Sequence, residues 1–238
     1  MKKLFVVLLS MAFVGAKAQT AEEIVNKYSN AMGGLENFNK TKTAKFTASL
    51  TTQGMTLPLT TQIVNGNSVR TDVTARGQSI VNVYHNGKAW KVNPLSGPTV
   101  PTEVTAASEL LSFKLQTSLA NNLMDYKSRG HQIVLQGQEM VDSVNTYKIM
   151  LTSKDDNKVT TYFINASNYL LVKSISKREI AGNEYNAEPF YSDFRSVDGL
   201  KFCHSYVQKV EGRVFQDVKY SKIELNIPID EKIFEMPK

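Results

Sequence analysis

From Lys42 onward the chain consists mostly of short runs in which apolar and polar side chains alternate, punctuated by glycine-containing turn pairs. A period of two is the signature of strands whose two faces differ. In KTAKFTASLTTQ, Ala44, Phe46, Ala48 and Leu50 share one face, while Lys45, Thr47 and Ser49 share the other. After Gly54, MTLPLTTQIV continues with Met55, Leu57, Leu59 and Ile63 on one face. Asn65-Gly66-Asn67, Arg76-Gly77 and Asn86-Gly87 mark the next turns, separating SVRTDVTA, QSIVNVYH and KAWKVN. Five strands joined by such short turns form an antiparallel meander.

Pro94, Gly97, Pro98 and Pro101 then interrupt the sheet, and Thr102 to Met124 carries few strand signals. Val104, Ala107, Leu110, Leu111, Leu115, Leu119 and Leu123 recur at helical spacing and predict one or two inserted amphipathic helices. Alternation resumes in HQIVLQGQEMV, NTYKIMLTS, KVTTYFINA, LLVKSISKREI, a run around EPFYSDFR, LKFCHSYVQKV and VFQDVKYSKIEL. Ahead of all the strands, Thr20 and Glu23 fit a capping box. Ile24, Tyr28, Ala31 and Met32 follow at helical spacing, and Gly33-Gly34 ends the helix. The expected class is therefore α+β, mainly antiparallel β, with about a dozen strands. A sheet that long twists and curls, so the reading is a curled sheet with the N-terminal helix and the mid-chain helical insert in its mouth.

MKKLFVVLLSMAFVGAKAQT begins with two lysines, continues with an apolar run and ends in a small-x-small site at Ala16-Lys17-Ala18. This is a secretory leader, residues 1–18, expected to be cleaved before Gln19, and it leaves a single domain over 19–238. The apolar run is too short to span a bilayer, and no cysteine follows it to carry a lipid anchor. Losing Lys2, Lys3 and Lys17 lowers the formal net charge from +6 to +3. So weak a balance, with no run of like charges, predicts no nucleic-acid partner. A single cysteine forms no internal disulfide, so packing alone must hold the fold.

DGLKFCHSY places that cysteine, Cys203, beside His204. On a strand, neighbouring side chains point to opposite faces, which separates thiol from imidazole and argues against a nucleophile–base pair. Asp198-Gly199 is a hairpin turn signal. The three histidines show no metal-ligand spacing, and no phosphate-binding loop, dinucleotide fingerprint or nucleophile elbow is present. No cofactor, metal or catalytic residue is predicted, and the chain does not read as an enzyme.

Two stretches carry a resemblance. SIVNVYHNGKAWKVNP, Ser79 to Pro94, is similar to a hairpin of the periplasmic lipoprotein carriers of the LolA and LolB type. YSDFRSVDGLKFCHSYVQKV, followed by KIELNIPIDEKIFEMP, resembles the closing strands of outer-membrane lipoprotein-sorting proteins of that superfamily. The resemblance covers nearly all of the chain after its leader. It implies an unclosed barrel with a helical lid over an apolar cavity that holds acyl chains. Two departures stand out. The family's lipoprotein chaperone has a Lys-Arg-Pro-Asn turn whose Arg holds the lid, whereas Val64-Asn65-Gly66-Asn67 has no Arg, and Arg70 follows only in the next strand. Cys203 stands where the family usually has Pro.

The expected role is a periplasmic carrier or binding protein for a lipid or an acylated lipoprotein, in traffic to the outer membrane. Transient contact with inner- or outer-membrane proteins is part of that expectation. The predicted apolar lining is Phe46, Leu50, Leu57, Leu59, Ile63, Trp90, Leu111, Leu115, Tyr147, Ile149, Leu151 and Phe163. Alternation shows which of these share a face but not which face is concave. An envelope sensor of the same fold that recognises a protein partner is the competing reading, and a hydrolase using His204 or His131 ranks below both.

Overall fold

The computed structural model describes residues 19–97, 99–180 and 183–237. The expected leader, residues 1–18, lies outside them. Helix α1 (Ala21–Met32) begins with the capping box anticipated from sequence: Thr20 Oγ1 accepts the Glu23 N–H at 3.1 Å, and Glu23 Oε2 accepts the Thr20 N–H at 2.9 Å. Gly33 ends it at φ +111, and a Cβ there would sit 2.6 Å from the Gly199 carbonyl oxygen. Only glycine permits both that dihedral and that approach. A second helix, α2 (Leu35–Lys40), follows at once and buries Phe38. The sequence does not predict it, because a glycine pair signals a helix stop, whereas here the pair forms a corner between two helices.

The strands follow in a long meander: β1 (Thr43–Thr52), β2 (Met55–Val64), β3 (Ser68–Ala75), β4 (Gln78–His85), β5 (Lys88–Val92) and a two-residue β6 (Thr102–Glu103). The insert then supplies α3 (Ala107–Leu115). Beyond α3, residues 118–130 are turns held by local hydrogen bonds, so the helical expectation is met only over α3. The second half contains β7 (Gln132–Val141), β8 (Val144–Thr152), β9 (Val159–Asn165), β10 (Leu171–Ile180), β11 (Asn183–Val197), β12 (Leu200–Val210) and β13 (Arg213–Leu225). A short 3-10 turn (Glu231–Phe234) comes last.

All strands form one 13-stranded sheet in the order β6-β5-β4-β3-β2-β1-β13-β12-β11-β10-β9-β8-β7. The two halves meet where β1 pairs antiparallel with β13, while β6 and β7 each have one neighbour, so the sheet does not close. Register shifts at Thr47/Ala48, Gln208/Lys209, Leu171/Lys173 and Leu135/Gln138 are the bulges expected of a strongly coiled sheet. Asp198 and Gly199 have φ of +50° and +81°, as a two-residue hairpin turn requires. DGLKFCHSY is a turn and a strand.

The helices lie on one face, the inner face. Ile24, Val25, Tyr28 and Met32 of α1 and Phe38 of α2 pack there with Ile149, Leu151, Ile164, Leu200, Phe202, Ile223 and Leu225. A second cluster joins Ile63, Val69, Tyr84 and Ala89 to Val104 and to Phe113 of α3. On the outer face of β4 and β5, Val81, Val83 and Trp90 pack against Phe234 of the C-terminal turn. Among the described residues no helix is long and apolar enough to cross a membrane.

Candidate functional site

Strand register builds the inner face into cross-strand rows. Leu57 pairs with Leu50, Leu50 with Val218, Val218 with Tyr206, and Tyr206 with Tyr191. One step along the strands, Val73 pairs with Leu59, Leu59 with Ala48, and Ala48 with Tyr220. Phe46 lies at the junction of the two inner clusters, its ring edge-on to Phe202 at 5.8 Å and to Tyr220 at 5.7 Å. Leu50, Leu57, Leu59 and Phe46 are only half-buried. A strip of apolar side chains therefore runs from Phe46, where the α1 and α3 clusters meet, toward the β1–β2 turn, and neither cluster seals it. Such a strip binds apolar chains by area alone, at roughly 0.8 kcal/mol per methylene removed from water.

Tyrosine hydroxyls supply the polar groups of this face. Tyr206 accepts from Gln216 Nε2 at 2.9 Å, Tyr191 lies 3.2 Å from Ser174 Oγ, and Tyr28 accepts from Asn121 Nδ2 at 2.7 Å. Burial pushes the Tyr206 phenol up to about 12 and raises Tyr28, Tyr162, Tyr191 and Tyr220 as well. At neutral pH these are uncharged hydroxyls in an apolar wall.

Away from the strip, at the other end of β2, a cleft of about 460 Å³ opens between α3, the β2–β3 turn and the segment after α3. Leu111 and Leu115 line it, with Lys114 and Asp155 at its border. The Arg129–Asp125 ion pair, at 3.0 Å, also borders it.

The twelve residues predicted as lining are distributed unevenly. Phe46, Leu50, Leu57 and Leu59 form the strip, and Leu111 and Leu115 the cleft. Ile63, Ile149 and Leu151 face inward but are sealed in the cores, at 6%, 0% and 1% exposure. Tyr147 packs at the margin of the α1 core, stacked on Tyr169 at 6.1 Å. Trp90 and Phe163 stand on the outer face, which corrects their place in the predicted set. Trp90 donates its Nε1–H to the Phe234 carbonyl at 2.9 Å, so its partner is the C-terminal turn. Phe163 lies beneath Lys148 and Lys173, whose Nζ atoms are 5.7 and 5.4 Å from its ring centroid. Tyr191, Tyr206, Tyr220 and Val73 were missed; the signal was available in the register partners of the residues that were chosen.

Arg70 also has a role the sequence did not disclose. It grips Asp72 at 2.7 Å, donates to the Ile233 carbonyl at 2.8 Å and lies over the Trp90 ring at 5.9 Å. It fastens the C-terminal tail on the outer face. The lid is fastened by Asn65 instead: its amide donates to the carbonyls of Phe38 and Thr41 at 2.9 and 2.8 Å and accepts the Leu119 N–H at 3.0 Å.

The histidines and the cysteine are engaged with the backbone or with polar side chains. The Cys203 thiol donates to the carbonyls of Ser192 and Ser205 at 3.2 and 2.8 Å, and burial raises its pKa, away from a reactive thiolate. His204 Nδ1 donates to the Phe202 carbonyl at 3.0 Å. His131 Nδ1 accepts the Lys154 N–H at 3.1 Å, and burial lowers its pKa. His85 sits between Ser68 and Asn86, at 2.8 Å from each. Among the described residues, no group of three or more His, Cys, Asp or Glu side chains is placed to hold a metal ion.

The open, 13-stranded half-barrel with helices across its inner face resembles several solved structures. The structure superposes on a LolA superfamily protein from Nitrosomonas europaea with a TM-score of 0.59 at 16% identity, covering 92% of this chain and 98% of that one. A DUF1329 family protein from Desulfovibrio piger gives 0.62 at 12% identity, covering 92% and 98%. A domain from Vibrio parahaemolyticus described as an outer membrane lipoprotein-sorting protein gives 0.59 at 10% identity, covering 90% and 95%. No protein-family model and no curated protein matches the sequence.

Proposed function

We propose that this chain is an exported, periplasmic carrier or binding protein, one half-barrel unit that shields the acyl chain of a lipid or acylated lipoprotein on its inner face. The observation that carries the reading is the half-buried apolar strip of Phe46, Leu50, Leu57 and Leu59, which leads away from the two sealed cores and is covered by neither. The fold shared with a domain described as lipoprotein-sorting supports traffic toward the outer membrane as the setting. Shielding an acyl chain needs no catalytic group, which accords with the structural engagement of Cys203 and the histidines. Native mass spectrometry of the leaderless protein, purified from an envelope fraction without detergent, tests it. A bound mass that solvent extraction releases as a lipid or acylated peptide supports the reading. A bare protein mass, together with failure to take up fluorescent fatty-acyl probes, overturns it.

A second reading, recognition of a protein partner, is favoured by β7. It is a free edge with one neighbouring strand, and Val134 and Met140 are exposed on it. An edge of this kind accepts an extended segment by strand addition.

A further inference from the structure

The strip on the inner face runs out at one end of the sheet, where the β1–β2 and β12–β13 turns lie side by side. Because β1 pairs with both β2 and β13, the two hairpin tips are neighbours, and Thr52 Oγ1 donates to the Phe215 carbonyl at 3.0 Å. Three large apolar side chains are exposed there: Met55 at 36%, Val214 at 64% and Phe215 at 46%. Two hairpin ends that together present Met, Val and Phe to solvent are costly to keep unless something covers them.

The charge around these tips is positive on balance, with Arg76, Lys209 and Arg213 against the carboxylate of Glu211. Arg213 opens β13 beside Val214, and Arg76 occupies the β3–β4 turn at the same end of the sheet; both are exposed. None of the ion pairs among the described residues includes either arginine or Lys209, whose Nζ instead lies 4.5 Å from the Phe190 ring centroid. Of the nearby acids, Glu184 and Asp217 are ion-paired, while Glu211 keeps its negative charge. Glu211 accepts the Asn186 N–H at 2.8 Å, Glu184 pairs with Lys177 at 2.6 Å, and Asp217 lies 3.7 Å from Lys219. Apolar side chains beside an excess of cations match the interface of an anionic bilayer, where the apolar groups enter the acyl boundary and the cations meet the headgroups.

We propose that the paired tips of β1–β2 and β12–β13 dock this protein on an anionic lipid membrane, with Met55, Val214 and Phe215 inserted and Arg76, Lys209 and Arg213 against the headgroups. The docked end is also the end of the Leu57–Leu50–Val218 row, two residues along β2 from Met55. An acyl chain on the strip then exchanges with the bilayer without crossing open water; this last consequence, unlike the docking, rests on the carrier reading.

The test is flotation of the leaderless full chain with mixed phosphatidylcholine–phosphatidylglycerol vesicles and with pure phosphatidylcholine vesicles. Binding to the mixed vesicles should weaken with salt. It should fall about tenfold or more in a Met55→Ser, Val214→Ser, Phe215→Ser triple variant and in an Arg76→Glu, Arg213→Glu variant. These side chains are exposed, and an unchanged urea midpoint verifies that the fold is intact. Absence of binding by the unaltered protein, or equal binding by both variants, overturns the proposal. Uptake of a fluorescent fatty-acyl probe in vesicle-free solution is read in parallel. Vesicle binding without probe uptake removes the carrier reading and leaves docking standing; probe uptake without vesicle binding does the reverse.

Discussion

The side-chain oxygen of Asn65, in the β2–β3 turn, accepts the backbone N–H of Leu119 at 3.0 Å, and this bond ties the inserted segment to the sheet. Next to it, the Gly66 N–H donates to the Thr117 carbonyl at 2.9 Å. The Leu119 side chain packs against both inner clusters, so the bond positions a residue that bridges the two halves of the core. An uncharged amide here performs the tethering that the resemblance assigns to an arginine. Asn65→Ala strands the Thr41 carbonyl and the Leu119 N–H in a half-buried site, leaves the Phe38 carbonyl only the Thr41 N–H, and is expected to cost about 2 kcal/mol. Urea unfolding measures the loss, and hydrogen exchange should quicken first at residues 117–120.

Gly33→Ala tests the corner between α1 and α2. The new Cβ meets the Gly199 carbonyl at 2.6 Å and is forced to φ +111. Destabilisation of about 2 kcal/mol or more is expected in urea, well above the cost of an alanine placed at an unstrained glycine position.

Trp90→Phe separates the outer face from the inner one. It removes the buried bond to the Phe234 carbonyl and should cost about 1–2 kcal/mol in an unfolding titration. Uptake of acyl probes should stay unchanged, because Trp90 does not face the strip. A drop in uptake without further loss of stability would contradict the assignment of faces.

Buried tyrosines set the alkaline limit. Folding raises the Tyr206 phenol from its ordinary value near 10 to about 12, and Tyr28, Tyr162, Tyr191 and Tyr220 shift the same way. The folded state therefore binds more protons than the unfolded state above pH of about 10, so stability is complete below that value and falls as pH rises through the folded values. Urea midpoints should decline steeply from about pH 10, with tyrosinate absorbance appearing together with unfolding.

The strands and turns were legible because period-two alternation and Asn-Gly or Asp-Gly pairs are local signals, and the α1 cap was legible for the same reason. The spacing of Leu119 and Leu123 permits a helix and so predicts one. In the structure Leu123 is buried and Leu119 half-buried on irregular backbone, whose hydrogen bonds come from Asn65 and Asn121, partners that local periodicity does not reveal. Trp90 and Phe163 were misplaced for a different reason. Alternation identifies faces only when one of them is wet, and here the outer face is locally apolar, covered by the C-terminal turn over Trp90 and by lysine stems over Phe163. The strip itself emerged only once register was known, since Leu57, Leu50, Val218, Tyr206 and Tyr191 come from five strands of both halves.

The most direct test of acyl shielding is to load the leaderless protein with a photoreactive fatty-acyl probe, irradiate it and map the labelled residues by peptide mass spectrometry. Saturable labelling is expected on Phe46, Leu50, Leu57, Leu59 and the facing Tyr206 and Tyr220, with Trp90 and Phe163 unlabelled. Labelling that does not saturate, or that concentrates on the outer face, would contradict the account.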